Sequence, residues 1–205
     1  MNFMDFKKAT QALNYFAQEA GGCINKMKVY KLIWLADRYH LRKYGRPVID
    51  DRYFAMPHGP VASTVKDIAN ENLDHLETKP GLEHAGDYVN QYLQNEDSYH
   101  FSSIKKPDLQ FFSRSDIEAL EFVYQQFDGL SPYQLRDLSH LYPEWKKFES
   151  DFDRGIRRRT MSFCDFFEDP SGEDVSADAF AEDRQTLEEI KEVFQEDNAI
   201  TNFWK

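Results

Sequence analysis

A mainly α domain with a small antiparallel β element and an acidic helical extension is the fold class predicted by three features of the sequence. The stretch Tyr30–Tyr44 carries Leu32, Leu35 and Tyr39 on one side and Tyr30, Trp34 and Leu41 on the next, an apolar surface wide enough to be covered on more than one face. Phe6, Ala9, Leu13, Phe16, Ala17 and Ala20 repeat at three-and-four spacing up to Gly21-Gly22, which predicts a first amphipathic helix. Between the central helix and the next helical stretch, Tyr53-Phe54-Ala55 favours an extended run.

The elements follow in order. Asn25 is placed to cap the central helix, which runs to about Tyr44; Gly45 supplies its left-handed end and Pro47 blocks continuation. His58-Gly59-Pro60-Val61 reads as a turn in which Pro60 opens a third helix through Val65, Ile68 and Ala69. From Leu73 to Lys106 the periodicity fades among Pro, Gly, Asn and Asp, and Tyr99-His100-Phe101 with Leu109–Phe112 suggests two short strands joined by a turn. Ser115-Asp116-Ile117-Glu118 reads as a capping box ahead of Leu120, Val123, Tyr124 and Phe127. Ser131-Pro132 starts another helix with Leu135, Leu138 and Leu141, closed by Pro143, with Trp145 and Phe148 docking behind it. Met161, Phe163, Phe166 and Phe167 suggest a last helix that closes a domain over residues 1–170. Pro170-Ser171-Gly172 then reads as a linker to an extension over 171–205.

At 205 residues, with 41% hydrophobic and 15% aromatic content that includes 17 Phe and 11 Tyr, the chain is too apolar to be disordered. Cys23 and Cys164 lie far apart without CxxC spacing, which argues against a disulfide framework or a cysteine-built metal site. No stretch has the apolar length of a signal peptide or a membrane helix, so the expected location is the cytoplasm. Net charge is −11, laid out unevenly: up to Ile68 eleven Lys/Arg face six Asp/Glu, leaving −16 for the rest. Such a surface repels nucleic acid on average. Arg154, Arg157, Arg158 and Arg159 form a local basic patch, but Asp151, Asp153, Asp165, Glu168 and Asp169 flank it, and pairing with these acids is the expected role.

His40, His58 and His140, with Asp37 and Asp51, are the residues that could support metal binding or acid–base chemistry. They lack ligand spacing such as HExxH, and His58 beside Gly59-Pro60 is explained by a ring bonded within a turn. Lys31 and Arg38 sit in apolar surroundings and are expected to snorkel or pair with a carboxylate. Phosphate loops and nucleophile elbows are absent, and Ser139-His140 has no spacing of a nucleophile and its base. No catalytic residue, metal ligand or cofactor is therefore expected. The segment from Glu173 carries ten acids against Arg184, Lys191 and Lys205, and Leu187, Ile190, Val193 and Phe194 give it an amphipathic strip. Two readings of that strip stand: a helix folded back on the domain, or a helix laid into a partner, with Leu187, Ile190 and Phe194 as apolar contacts and Glu188, Glu189 and Glu192 matched to a basic surface.

The run KLIWLADRYHLRKYGRPVIDDRYFAMPHGPV, followed at a distance by LSPYQLRDLSHLYPEW, resembles the Panacea domain family of SocA-like proteins, which includes phage-associated relatives. The likeness extends over about Lys7 to Asp169. It is carried by Lys31-Leu32, by Trp34 and His40 on the same helix, by the Gly45-Arg46-Pro47 stop, by Tyr53-Phe54-Ala55, by His58-Gly59-Pro60-Val61, and by Leu138-Ser139-His140 with Trp145. The resemblance implies a mainly helical fold with a small sheet. It also implies the role of an antitoxin that neutralises a cognate protein toxin, encoded by a neighbouring gene, through direct binding. Some relatives look instead like adaptors that deliver a toxin to a protease. A hydrolase or metal enzyme using the three histidines is the remaining alternative. The acidic segment after Asp169 departs from the pattern, and the oligomeric state is left open.

Overall fold

The computed structural model describes residues 3–170 and 177–203. Helix α1 (Phe3–Glu19) buries Phe6, Ala9, Leu13 and Phe16 and unwinds at Gly21 and Gly22, both at positive φ. Strand β1 (Cys23–Asn25) follows at once, and its last residue caps helix α2 (Lys26–Tyr44): the Asn25 side chain accepts the Met27 and Lys28 amides at 3.0 and 3.3 Å. At the other end Gly45 adopts φ 69° and returns its N–H to Leu41, the left-handed stop expected of it. Fourteen residues of α2 are buried, and α1, α6, α7 and the hairpin below pack around it.

Strands β2 (Tyr53–Met56) and β3 (Gly59–Ala62) form an antiparallel hairpin in which Tyr53 faces Ala62 and Met56 faces Gly59. Helix α3 (Ser63–Ala69), the short helices α4 (Asp74–Glu77) and α5 (Ala85–Val89), and strands β4 (Leu93–Asn95) and β5 (His100–Ser103) come next. Helices α6 (Arg114–Phe127), α7 (Pro132–Ser139), α8 (Pro143–Lys146) and α9 (Glu149–Asp153) precede strand β6 (Arg159–Thr160) and the long helix α10 (Arg184–Phe203). Two three-stranded antiparallel sheets, ordered β1-β5-β4 and β3-β2-β6, flank the helical core, so the fold is mainly α as the periodicity predicts. Among the described residues no helix is long and apolar enough to cross a membrane.

Five expectations need correction. Pro60 does not open α3; it lies in β3, an edge strand where a residue without an N–H is tolerated. The start of α3 is set instead by Asp51, whose carboxylate accepts the Thr64 and Val65 amides at 2.6 and 3.0 Å. The capping box of α6 is Ser113 with Asp116, not Ser115 with Glu118. Lys8 and Arg46 hold Asp116 in that frame from outside the helix. Ser115 meets His40, while Glu118 takes Tyr39, Lys43 and Tyr44. Leu109–Phe111 is a single 3-10 turn with Asp108 as its cap, and β5 pairs with β1 and β4. Phe163–Phe167 is likewise 3-10 rather than α, because Arg42 reaches in and takes the Phe166 and Phe167 carbonyls. Helix α7 stops at Ser139, leaving Leu141 outside it. Of the predicted linker, Ser171 and Gly172 lie outside the described residues.

Candidate functional site

Five of the motif residues, Lys31, Gly59, Pro60, His140 and Trp145, lie where α2, the β2–β3 hairpin and the α7–α8 region meet. Lys31 is fully buried on α2 and donates from Nζ to the Pro60 carbonyl at 2.8 Å. Its acceptor is thus a main-chain oxygen rather than the carboxylate expected, and burial holds its ammonium well below the usual lysine range. Gly59 sits at φ 95° against this amine. A Cβ there would collide with both Lys31 Nζ and Ser139 Oγ, so the close approach of hairpin to helix needs glycine for space as well as for conformation. Ser139 donates to the Arg136 carbonyl at 2.7 Å and so ends α7 under the hairpin. Beside it the His140 ring stacks on Trp145, centroids 3.6 Å apart and planes within 4°, while Trp145 donates its indole N–H to the Met56 carbonyl at 2.8 Å. Burial, reinforced by Lys31 and Arg136, lowers His140 to about 4, which keeps the imidazole neutral at ordinary pH.

About two turns along α2 the polar residues reach other elements. Arg38 Nη1 donates to both Glu144 oxygens at 2.8 Å, with side chains 1% and 0% exposed, and Nη2 donates to the Glu168 carbonyl at 2.6 Å. The Arg38 guanidinium also lies over the Tyr142 ring. Burial raises Glu144 and Arg38 opposes it, so the pair stands on its mutual geometry. Arg42 bonds the Phe166, Phe167 and Phe180 carbonyls and the Asp169 carboxylate, tying α2 to the segments that lead toward α10. Asp37 accepts from the Ile49 amide at 2.8 Å and the Tyr53 hydroxyl at 2.7 Å; burial outweighs these bonds and pushes its carboxyl up to about 7.

The candidate histidines do not converge. His40 contacts the Arg46 carbonyl and Ser115 inside the domain, His58 is exposed on the hairpin loop, and His140 lies on Trp145. Among the described residues no group of three or more His, Cys, Asp or Glu is arranged to hold a metal ion. Leu32 and Trp34 belong to the core, as do Tyr53 and Val61; Pro47 is buried in the stop after α2. Of the arginine patch, Arg154 and Arg159 pair with Asp151, and Arg158 lies over the Phe54 ring.

Helix α10 packs on the domain with the strip the sequence singled out. Leu187 and Phe194 are buried, Phe194 touching Phe163 and Phe167, and Ile190 packs beside them; Lys191 pairs with Glu168 at 2.5 Å. The folded-back reading therefore accounts for Leu187, Ile190 and Phe194, while Glu188, Glu189 and Glu192 remain in solvent. Val193, which the sequence grouped with that strip, is 56% exposed and lies instead on a second apolar side that sequence reasoning missed, with Ile200 and Phe203 at 58% and 80%. The signal was present as seven-residue spacing of Val193 and Ile200, hidden behind the stronger strip.

A family model described as antitoxin SocA-like, Panacea domain, matches residues 29–146, more than half of the chain and the whole of the convergence described above. None of the curated proteins and none of the solved structures matches it. With Lys31 set against Gly59 and His140 stacked on Trp145, all inside the matched span, the chain belongs to the family of SocA-like antitoxins that share the Panacea domain.

Proposed function

We propose that this protein neutralises a cognate protein toxin, the product of a neighbouring gene, by binding it directly and covering its active site. Membership of the SocA-like antitoxin family is the observation that carries the reading. The interior of the matched span supports it. Lys31, Asp37, Arg38, His40 and Glu144 each engage another segment of the same chain, so these polar residues serve to hold a shape. A binder whose surface is fixed before encounter loses less conformational freedom on association. The acidic surface outside that core suits a toxin whose active site is basic because its own substrate is anionic.

Co-expression tests this. The product of the adjacent open reading frame, made alone, is expected to arrest growth; made together with this protein it is expected to be harmless and to persist at full level. Loss of the toxin only when a cytoplasmic protease is present would replace occlusion with delivery for degradation. A product that is harmless alone, or that stays lethal in complex, would remove the antitoxin reading.

A further inference from the structure

We infer that the outward face of α10 is the surface that engages the toxin, and that it fits an apolar groove rimmed by Lys or Arg. The inference rests on the antitoxin reading and deepens it. Glu189, Val193, Glu196, Ile200 and Phe203 follow one another at intervals of four, three, four and three residues, the spacing that keeps side chains on one line along a helix that meets a partner. Val193, Ile200 and Phe203 are each more than half exposed. Single exposed apolar residues are ordinary, but three on one stripe form a contact surface.

The opposite side of the helix explains why this stripe is presented and held in place. Leu187, Ile190 and Phe194 are packed on the domain, and Lys191 anchors to Glu168. The stripe begins next to rigid structure. Val193 and Glu189 share a shallow depression of about 290 Å³ with Lys43, Tyr44 and Gly45 at the end of α2.

Charge selects the occupant. Over Arg184–Phe203 there are five carboxylates, and both cations are engaged: Arg184 with Glu188, Lys191 with Glu168. Among the described residues Glu189, Glu192 and Glu196 form no ion pair. A second copy packed parallel along the stripe would bring Glu189 and Glu196 against their own kind, which opposes that self-association; a cationic groove meets them favourably. The contact surface thus lies largely opposite the partner contacts that sequence alone proposed, sharing only Glu189 with them.

The test uses the full chain and the purified product of the adjacent open reading frame, with binding followed across a salt series. V193S/I200S is expected to bind at least about tenfold more weakly than the wild type with its unfolding midpoint unchanged, because truncated apolar anchors cost affinity while exposed positions carry little stability. E189K/E196K is expected to weaken binding and to flatten its dependence on salt. A wild type that binds while V193S/I200S binds equally well overturns the inference and leaves the antitoxin reading standing. Conversion of a wild-type dimer to a monomer by V193S/I200S assigns the stripe to self-association and overturns it too. A wild type that does not bind removes the antitoxin reading, and this inference with it.

Discussion

Helices α2 and α10 are nearly equal in length, 19 and 20 residues, and both are rich in charge, yet they place that charge in opposite ways. On α2 the charged residues Lys31, Asp37, Arg38 and Arg42 are buried and joined to the hairpin, the loop before it, α8 and the 3-10 turn. On α10 the acids lie in solvent, and two apolar stripes run along the helix, one packed and one exposed. Buried charge fixes which segment may sit where, since each wrong arrangement leaves an ion without a counterpart. Exposed charge beside an apolar stripe adds nothing to the fold and is free to discriminate among partners. The first helix ties the scaffold together; the second leaves its acids and one apolar stripe in solvent, the surface we propose for the partner.

The largest effect expected from this contrast follows removal of one half of the buried pair. Glu144→Gln leaves the Arg38 guanidinium charged and enclosed, and a loss of about 3–5 kcal/mol is expected by urea unfolding. A loss below about 1 kcal/mol would mean that the α2 network does not determine the scaffold. Next in size is Gly59→Ala, which combines a positive φ with collision against Ser139 and Lys31; about 2 kcal/mol is expected, read from the thermal midpoint.

Of opposed sign, and small only in their sum, are two titrations inside the scaffold. His140 is lowered from 6.5 to about 4, so the fold resists a proton that the unfolded chain accepts, and stability is lost as pH falls through that interval. Asp37 is raised from 3.8 to about 7, so the fold keeps a proton that the unfolded chain has released, and stability is lost as pH rises through nearly the same interval. His140→Phe, which retains a ring on Trp145, should leave stability declining with rising pH, and Asp37→Asn should leave it increasing. Urea midpoints at about pH 4.5 and about pH 6.5 distinguish the two slopes. The smallest stability effect belongs to α10: V193S/I200S should shift unfolding by less than about 0.5 kcal/mol. A larger loss would place these side chains in the scaffold and erase the contrast.

What the sequence made legible divides along the same line. Helix α2 is written locally: Asn25 accepts amides two and three residues ahead, and Gly45 closes four residues behind. The start of α3 is not, because the carboxylate that catches its amides comes from Asp51, thirteen residues before Thr64. Both Ser113–Asp116 and Ser115–Glu118 satisfy the spacing of a capping box. The choice between them is made by Lys8 and Arg46, which reach Asp116 from elsewhere in the fold. Phe163–Phe167 has helical apolar spacing, but Arg42 takes its carbonyls. For the candidate site, the motif residues were legible as a group, while their role as internal fasteners depended on burial. Amphipathicity marked one stripe of α10 as apolar but did not tell which stripe would meet the domain.

Hydrogen exchange of the full chain, with and without the adjacent gene's product, tests the central claim most directly. The account predicts that the α2 amides from Lys31 to Arg42 are protected already in the free protein and change little, while new protection appears along α10 from Val193 to Phe203 and beside Tyr44. Protection gained instead over the β2–β3 hairpin, with α10 exchanging as before, would contradict it.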